Sequence, residues 1–279
     1  MIELACHTWT FSDLTLPEAL GTIARLGFRC ADIGLTAPKP MPDPRRAARE
    51  IKTDLLELYN LRLSDLYLML PRISLLDDER RARDLESFKA LLPFALELGA
   101  PGVTLSPGLK QDDEGAFERT TSVLRLMVDA GKAAGLRISV EPHVDSMAQT
   151  PDAALKLLEA VPGLELTLDW AQLVYNNAAH DAILSLLSKT RHIQIRQASR
   201  GHLQTAFEKG KIDLERVVSD LIAHNYDGAI CVELVNTPGR YGIAAVNAIR
   251  ESARLRDTLR DARGLRDASN ASQAKEAGS

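Results

Sequence analysis

The chain has 279 residues, 45% hydrophobic and 26% charged, with a formal net charge of -4, an ordinary composition for a globular enzyme and long enough for one large α/β barrel or two smaller domains. That balance offers no basic field for nucleic acid, and no run approaches the roughly 18 apolar residues of a membrane span, so neither partner is expected. The opening Met1-Ile2-Glu3-Leu4-Ala5-Cys6-His7 lacks the basic and apolar regions of a secretory signal, which points to the cytosol. Cys6, Cys30 and Cys231 lie in apolar strand-like runs without metal-type spacing and read as reduced core residues.

Ile2 to Cys6 reads as a first strand, followed by His7, Thr8 and Trp9. Thr15-Leu16-Pro17-Glu18 then starts a helix with a Thr cap and ends at Gly27. Phe28 to Leu35 is a second strand with Asp32 near its end, and the proline-rich Pro38 to Pro44 is a loop before a helix from Pro44 to Tyr59. Leu61 to Leu68 is the third strand, and Asp78 to Leu98 is an amphipathic helix closed by Gly99. Gly102 to Ser106 is the fourth strand, and the helix Glu114 to Ala134 stops at Gly135. Leu136 to Val140 leads into Glu141-Pro142-His143 as the fifth strand end, Pro151 to Val161 is a helix, and Leu164 to Asp169 is the sixth strand. Helix Ala179 to Leu187 leads to a seventh strand, His192 to Gln197, and a polar loop from Ala198 to Lys211. Asp213 to His224 is a helix, Ala229 to Glu233 the eighth strand, and Ile243 to Leu259 a final helix.

Eight βα repeats with short connections predict a single closed (β/α)8 TIM barrel over residues 1–262, with active groups on the loops that follow the strands. An open doubly wound sheet usually carries a glycine-rich phosphate turn after its first strand, and none is present. Residues 263–279, rich in Ala, Ser, Asp and Gly without apolar periodicity, predict a flexible tail.

Three of the strands end in an acid: Glu141, Asp169 and Glu233. A carboxylate beside a core is costly unless a cation or hydrogen bonds receive it, so three at corresponding strand ends predict one shared site. Side chains alternate along a strand, which puts His143 on the face of Glu141. His7 and Trp9 read either as a sugar-stacking wall or as rim packing, and Asp32 either as a substrate ligand or as a loop hydrogen bond. Trp170 and Tyr175 read as packing, and His180 and His224 as helix-surface residues. His202 and Gln204 lie on a loop that reads as a mobile polar segment or as a cover for the site.

With these strand ends the chain resembles the xylose isomerase-like TIM-barrel family over roughly Ile2 to Leu259. The family includes sugar isomerases, ketose 3-epimerases, hydroxypyruvate isomerase and the barrel apurinic endonucleases. The resemblance implies a divalent ion held at the barrel mouth by Glu after strand five, Asp after strand six, His after strand seven and Glu after strand eight. Glu141, Asp169 and Glu233 match these acids. The family's His-x-His of strand seven is here His192-Ile193-Gln194, and its frequent Asp-x-x-His after strand six is here Asp169-Trp170-Ala171-Gln172. The run Arg196-Gln197-Ala198 with Gly201-His202-Leu203-Gln204 is similar to a subgroup of sugar isomerase-like proteins.

The resemblance thus implies metal ligation by Glu141, Asp169, Gln194 and Glu233, an all-oxygen set suited to Mn²⁺ or Mg²⁺ rather than Zn²⁺. It also implies Glu141 and Glu233 as the proton-transferring pair, since related epimerases use such facing glutamates. His7, His143, Gln172, Arg196 and Gln204 are the candidates for substrate binding, Arg196 because its planar fork suits a carboxylate or vicinal hydroxyls. The expected activity is a metal-dependent isomerase or epimerase of a small sugar or keto-sugar, working through an enediolate. Two alternatives stand beside it: a lyase acting on a keto-sugar or 3-keto-glycoside by the same proton abstraction, and a metal-free barrel that binds a metabolite or a partner subunit. An apurinic endonuclease is disfavoured by the six histidines and the negative charge. A homo-oligomer is expected from the habits of the family.

Overall fold

The computed structural model describes residues 2–36 and 41–276. Eight strands form, β1 (Glu3–His7), β2 (Cys30–Thr36), β3 (Arg62–Met69), β4 (Val103–Leu105), β5 (Ile138–Val140), β6 (Glu165–Asp169), β7 (Thr190–Ile195) and β8 (Ala229–Val232). All pair in parallel in sequence order, and β8 returns to β1 to close the barrel. Parallel neighbours need a crossover, and helices supply it: α1 (Leu16–Arg25), α2 (Pro44–Ile51), α3 (Asp78–Leu98), α4 (Ala116–Ala133), α5 (Pro151–Ala160), α6 (Trp170–Tyr175), α7 (His180–Leu184), α8 (Leu214–Ala223) and α9 (Ala248–Glu276).

Local signals account for the helix ends. The Glu18 carboxylate accepts the Thr15 backbone N–H at 2.9 Å, closing the capping box that starts α1. Gly99 ends α3 in the left-handed conformation at φ 79°, which a Cβ would penalise. Three details depart from expectation. The helix from Pro44 passes after Ile51 into a π-helical turn, Lys52–Glu57. The short α6 follows β6 without a break, Asp169 capping it by accepting from the Ala171 N–H at 2.8 Å. The last helix starts at Ala248 rather than Ile243 and its backbone continues to Glu276, into the expected tail. Side chains from residue 265 onward, and residues 37–40 of the proline-rich loop, lie outside the described residues.

The apolar core sits outside the barrel wall. Ile33, Leu66, Val140, Leu168, Ile193 and Val232 face the helices and are buried, each worth about 1.5–3 kcal/mol of transfer free energy. Alternation sends their neighbours inward; Ala5, Cys30, Ala229 and Cys231 form a small apolar cluster there, and most of the others are polar. Contacts between strands that are not neighbours must cross the interior, and several do. The Arg191 guanidinium donates to Asp65 Oδ1 at 2.6 Å and to Ser139 Oγ at 2.7 Å, and Thr104 meets Thr167 at 2.6 Å. Asp32 on β2 takes His192 Nε2 from β7 at 2.6 Å and the Ser64 hydroxyl at 2.6 Å. A polar, paired plug therefore crosses the lower barrel beside that cluster, beneath the ends of the strands.

Candidate active site at the mouth of the barrel

Above that plug, Glu141, Asp169 and Glu233 bring one oxygen each to within 4.8 Å of one another, and all three are buried. Each leaves the barrel wall where its strand ends, so the convergence follows from closing β5, β6 and β8 around one axis. Glu141 is held at both oxygens: the Tyr67 hydroxyl donates to Oε2 at 2.6 Å, and the Gln172 amide donates to Oε1 at 3.2 Å. Burial and the neighbouring Glu141 carboxylate raise the Tyr67 pKa well above the phenol range, which keeps it a donor.

Arg196, almost fully buried, reaches across to two of the acids. Its Nη2 donates to Asp169 Oδ2 at 2.5 Å, while Nη1 donates to the Glu233 carbonyl at 3.0 Å and lies 3.4 Å from Glu233 Oε2. Burial disfavours its charge, but Asp169 and Glu233 outweigh that and raise its pKa. Even so the cluster is short of positive charge. Burial pushes Asp169 up to about 6 despite the guanidinium beside it, and burial with repulsion from Glu233 raises Glu141.

Gln194 pairs through its Cα with Asp169, and it shares a strand face with His192 and Arg196, both of which point inward. Its amide oxygen and nitrogen are buried and have no partner among the described residues. Three carboxylates against one guanidinium leave a formal charge of -2, and an orphaned amide oxygen lies on the same inward face. Both features fit a divalent ion: the charge would be neutralised and the amide oxygen satisfied. No ion is needed to explain the other acid–imidazole–thiol group, Asp32, His192 and Cys231. There the imidazole already hydrogen-bonds the carboxylate directly.

The remaining candidates divide. His7 is buried and accepts the Trp9 backbone N–H on Nδ1 at 3.0 Å, so a neutral ring carries its proton on Nε2, and that atom has no partner. Its ring stands 4.7 Å from that of Trp9, which is 4.9 Å from Tyr67. Gly34 makes room for this aromatic group, since a Cβ there would lie 2.4 Å from the Trp9 ring and 2.6 Å from His7 Cε1. His143 donates Nδ1–H to the Val144 carbonyl at 2.8 Å and meets Ser106 Oγ through Nε2 at 2.9 Å, a pose fixed by its neighbours. Gln172 lines the site by holding Glu141, and its side-chain Oε1 accepts the Val144 N–H at 3.0 Å.

Gln204 turns to the backbone. It is fully buried, its amide nitrogen donating to the Val235 and Ala244 carbonyls at 3.0 Å and its oxygen accepting from the Val235 N–H at 2.7 Å. Both N–H donors and the amide oxygen are thus engaged by backbone, and the side chain pins the loop after β8. Asp32 likewise belongs to the plug. Tyr67 was missed by sequence reasoning, although its period-two relation to Asp65 in Leu63-Ser64-Asp65-Leu66-Tyr67 marks an inward position.

A family model described as xylose isomerase-like TIM barrel matches residues 20–260. The chain belongs to that family. Among solved structures, likeness of fold extends over the whole barrel at low identity. A D-psicose 3-epimerase with D-tagatose from Clostridium cellulolyticum H10 aligns with TM-score 0.76 and 16% identity, covering 94% of this chain and 99% of that one. An L-ribulose 3-epimerase gives TM-score 0.74 and 17% identity, covering 96% and 98%. A 3-keto-D-glucoside 4-epimerase from E. coli, in its apo form, gives TM-score 0.71 and 16% identity, covering 94% and 100%. No curated protein matches the sequence. Among the described residues no helix is long and apolar enough to cross a membrane.

Proposed function

We propose that this family member is an isomerase or epimerase of a small sugar or keto-sugar that moves a proton at the carbon beside a carbonyl. The observation that carries this reading is the convergence of Glu141, Asp169 and Glu233 from three strands at one mouth. Glu141, Asp169, Gln194 and Glu233 would hold a divalent ion, and the oxygen-only donor set favours Mn²⁺ or Mg²⁺. When bound, such an ion polarises the substrate carbonyl and an adjacent hydroxyl, making the α-proton more acidic.

The protein groups do the rest. Glu141 and Glu233 stand as the base and the acid, one removing the proton and the other returning it. Tyr67 and Gln172 each hold one oxygen of Glu141 and so fix the orientation of its carboxylate. The unpartnered Nε2–H of His7 donates to a substrate oxygen, and Trp9 covers the apolar face of the carbon chain. The names of the structural neighbours, two ketose 3-epimerases and a 3-keto-glucoside 4-epimerase, support this substrate class.

The test is solvent exchange in heavy water, with Mn²⁺ present, over a panel of ketoses and 3-keto-glycosides. Deuterium entering the α-carbon, seen by NMR with the carbon skeleton intact, is the expected result. Absence of exchange with every member of the panel would overturn the proposal. Exchange accompanied by release of the aglycone would move the assignment to a lyase.

A further inference from the structure

Arg196 stands in a place that an ion would contest. Its fork holds Asp169 Oδ2 at 2.5 Å and lies 3.4 Å from Glu233 Oε2, and both acids belong to the proposed ligand set. Asp169 Oδ1 is already engaged by the Ala171 N–H at 2.8 Å, so the oxygen facing the guanidinium is the one a cation would share or take. The guanidinium is buried, and its Nε has no partner. An arginine fully matched to its surroundings would not leave that nitrogen orphaned. Its bonds are therefore those of a group seated on anionic oxygens without a complete socket of its own.

We infer that Arg196 is a resident counter-cation that competes with the divalent ion for Asp169 and Glu233, so that metal binding releases its fork towards the substrate. This inference rests on the cation site proposed above. In the ion-free protein Arg196 neutralises part of the acid cluster and lets the barrel fold without metal. With the ion seated, two like charges share one pocket, and the side chain gives up Asp169 Oδ2 while Nη1 keeps the Glu233 carbonyl. The freed Nη2 and the orphaned Nε then form one edge of a guanidinium, the edge that receives two oxygens side by side. The ligand this edge selects is a substrate with two neighbouring acceptor oxygens, a carboxylate or a hydroxyketone. Such a site loads in order, metal first and substrate second.

The experiment is calorimetric titration of the full chain with Mn²⁺ alone, no sugar present, for the wild type, Arg196→Met and Arg196→Lys. Removing the resident charge is expected to tighten Mn²⁺ binding about tenfold or more in Arg196→Met. Arg196→Lys, which keeps the charge but loses the fork, should tighten it less. Thermal unfolding gives a second readout: the metal-free Arg196→Met protein melts below the wild type, and saturating Mn²⁺ raises its melting temperature further than that of the wild type. Equal or weaker Mn²⁺ affinity in both variants overturns the competition while leaving the metal site standing. No binding by any of the three proteins overturns the metal site and the competition with it.

Discussion

The lower and upper halves of the barrel interior both bury charged groups, yet they satisfy them differently. In the lower half Asp65 and Arg191 form a buried ion pair with Thr104 and Ser139 around it, and Asp32 is bracketed by His192 and Ser64. Charges there are matched one to one. In the upper half three acids face one guanidinium, and atoms of Gln194, His7 and Arg196 have no partner. A buried polar group without a partner costs about 1–3 kcal/mol, so a fold that keeps several of them together does so where a ligand completes the set. Polarity alone does not mark a site in this barrel; incomplete pairing does.

The sharpest way to break the comparison is to mutate one acid in each half. Glu233→Gln removes a proposed proton-transferring group, and turnover should fall by about 10²- to 10⁴-fold. Stability should hold or rise, because one of three crowded carboxylates becomes neutral. Steady-state kinetics and chemical unfolding on the same preparation check both halves of the statement. A variant that unfolds readily, or one that keeps full activity, contradicts it.

Asp65→Asn is the mirror experiment. It leaves Arg191 buried and charged without its anion, and losing one partner of a buried pair costs roughly 3–5 kcal/mol. Activity per folded molecule should be close to that of the wild type, since Asp65 makes its bonds below the acid cluster. Denaturant unfolding measures the cost. A loss of turnover in protein shown to be folded would mean that the plug also positions the site.

How much of this was legible beforehand follows the same division. Strand and helix order could be read because short apolar runs recur eight times, several helices open on a capping residue and Gly27, Gly99 and Gly135 stop three of them, and local chemistry writes these signals directly into the sequence. Glu141, Asp169 and Glu233 could be read because each closes an apolar run. The lower pairs could not. Asp32 and His192 are 160 positions apart and Asp65 and Arg191 are 126 apart, and only barrel closure with two register shifts, at Ala31/Asp32 and Leu166/Thr167, turns them to face each other. The Gln204 contacts were hidden for the opposite reason. A polar residue on a polar loop signals exposure, and nothing local shows that its amide bonds the backbone of the loop after β8.

A smaller effect sharpens the picture of the lower half through pH. Burial would raise the Asp32 pKa, but the charge and hydrogen bond of His192, with a further pull from His7, lower it from 3.8 to about 2. A depressed carboxyl contributes stability that is present above its unfolded pKa and is lost as pH falls through the folded one. A shift of this size corresponds to about 2 kcal/mol. Wild type should therefore exceed Asp32→Asn in unfolding free energy at pH 5, and the gap should narrow as pH falls from 4 towards 2, because protonation removes in the wild type the charge that the substitution removes outright. Other carboxylates titrate in both proteins and cancel in the difference; His192 does not, because without Asp32 its burial favours the neutral ring, so the narrowing is read below the pH at which His192 is protonated in both folded proteins. Urea unfolding of the two chains at pH 5, 4, 3 and 2 measures it, and a gap that stays constant over that range would show that His192 leaves the Asp32 carboxyl at its ordinary pKa.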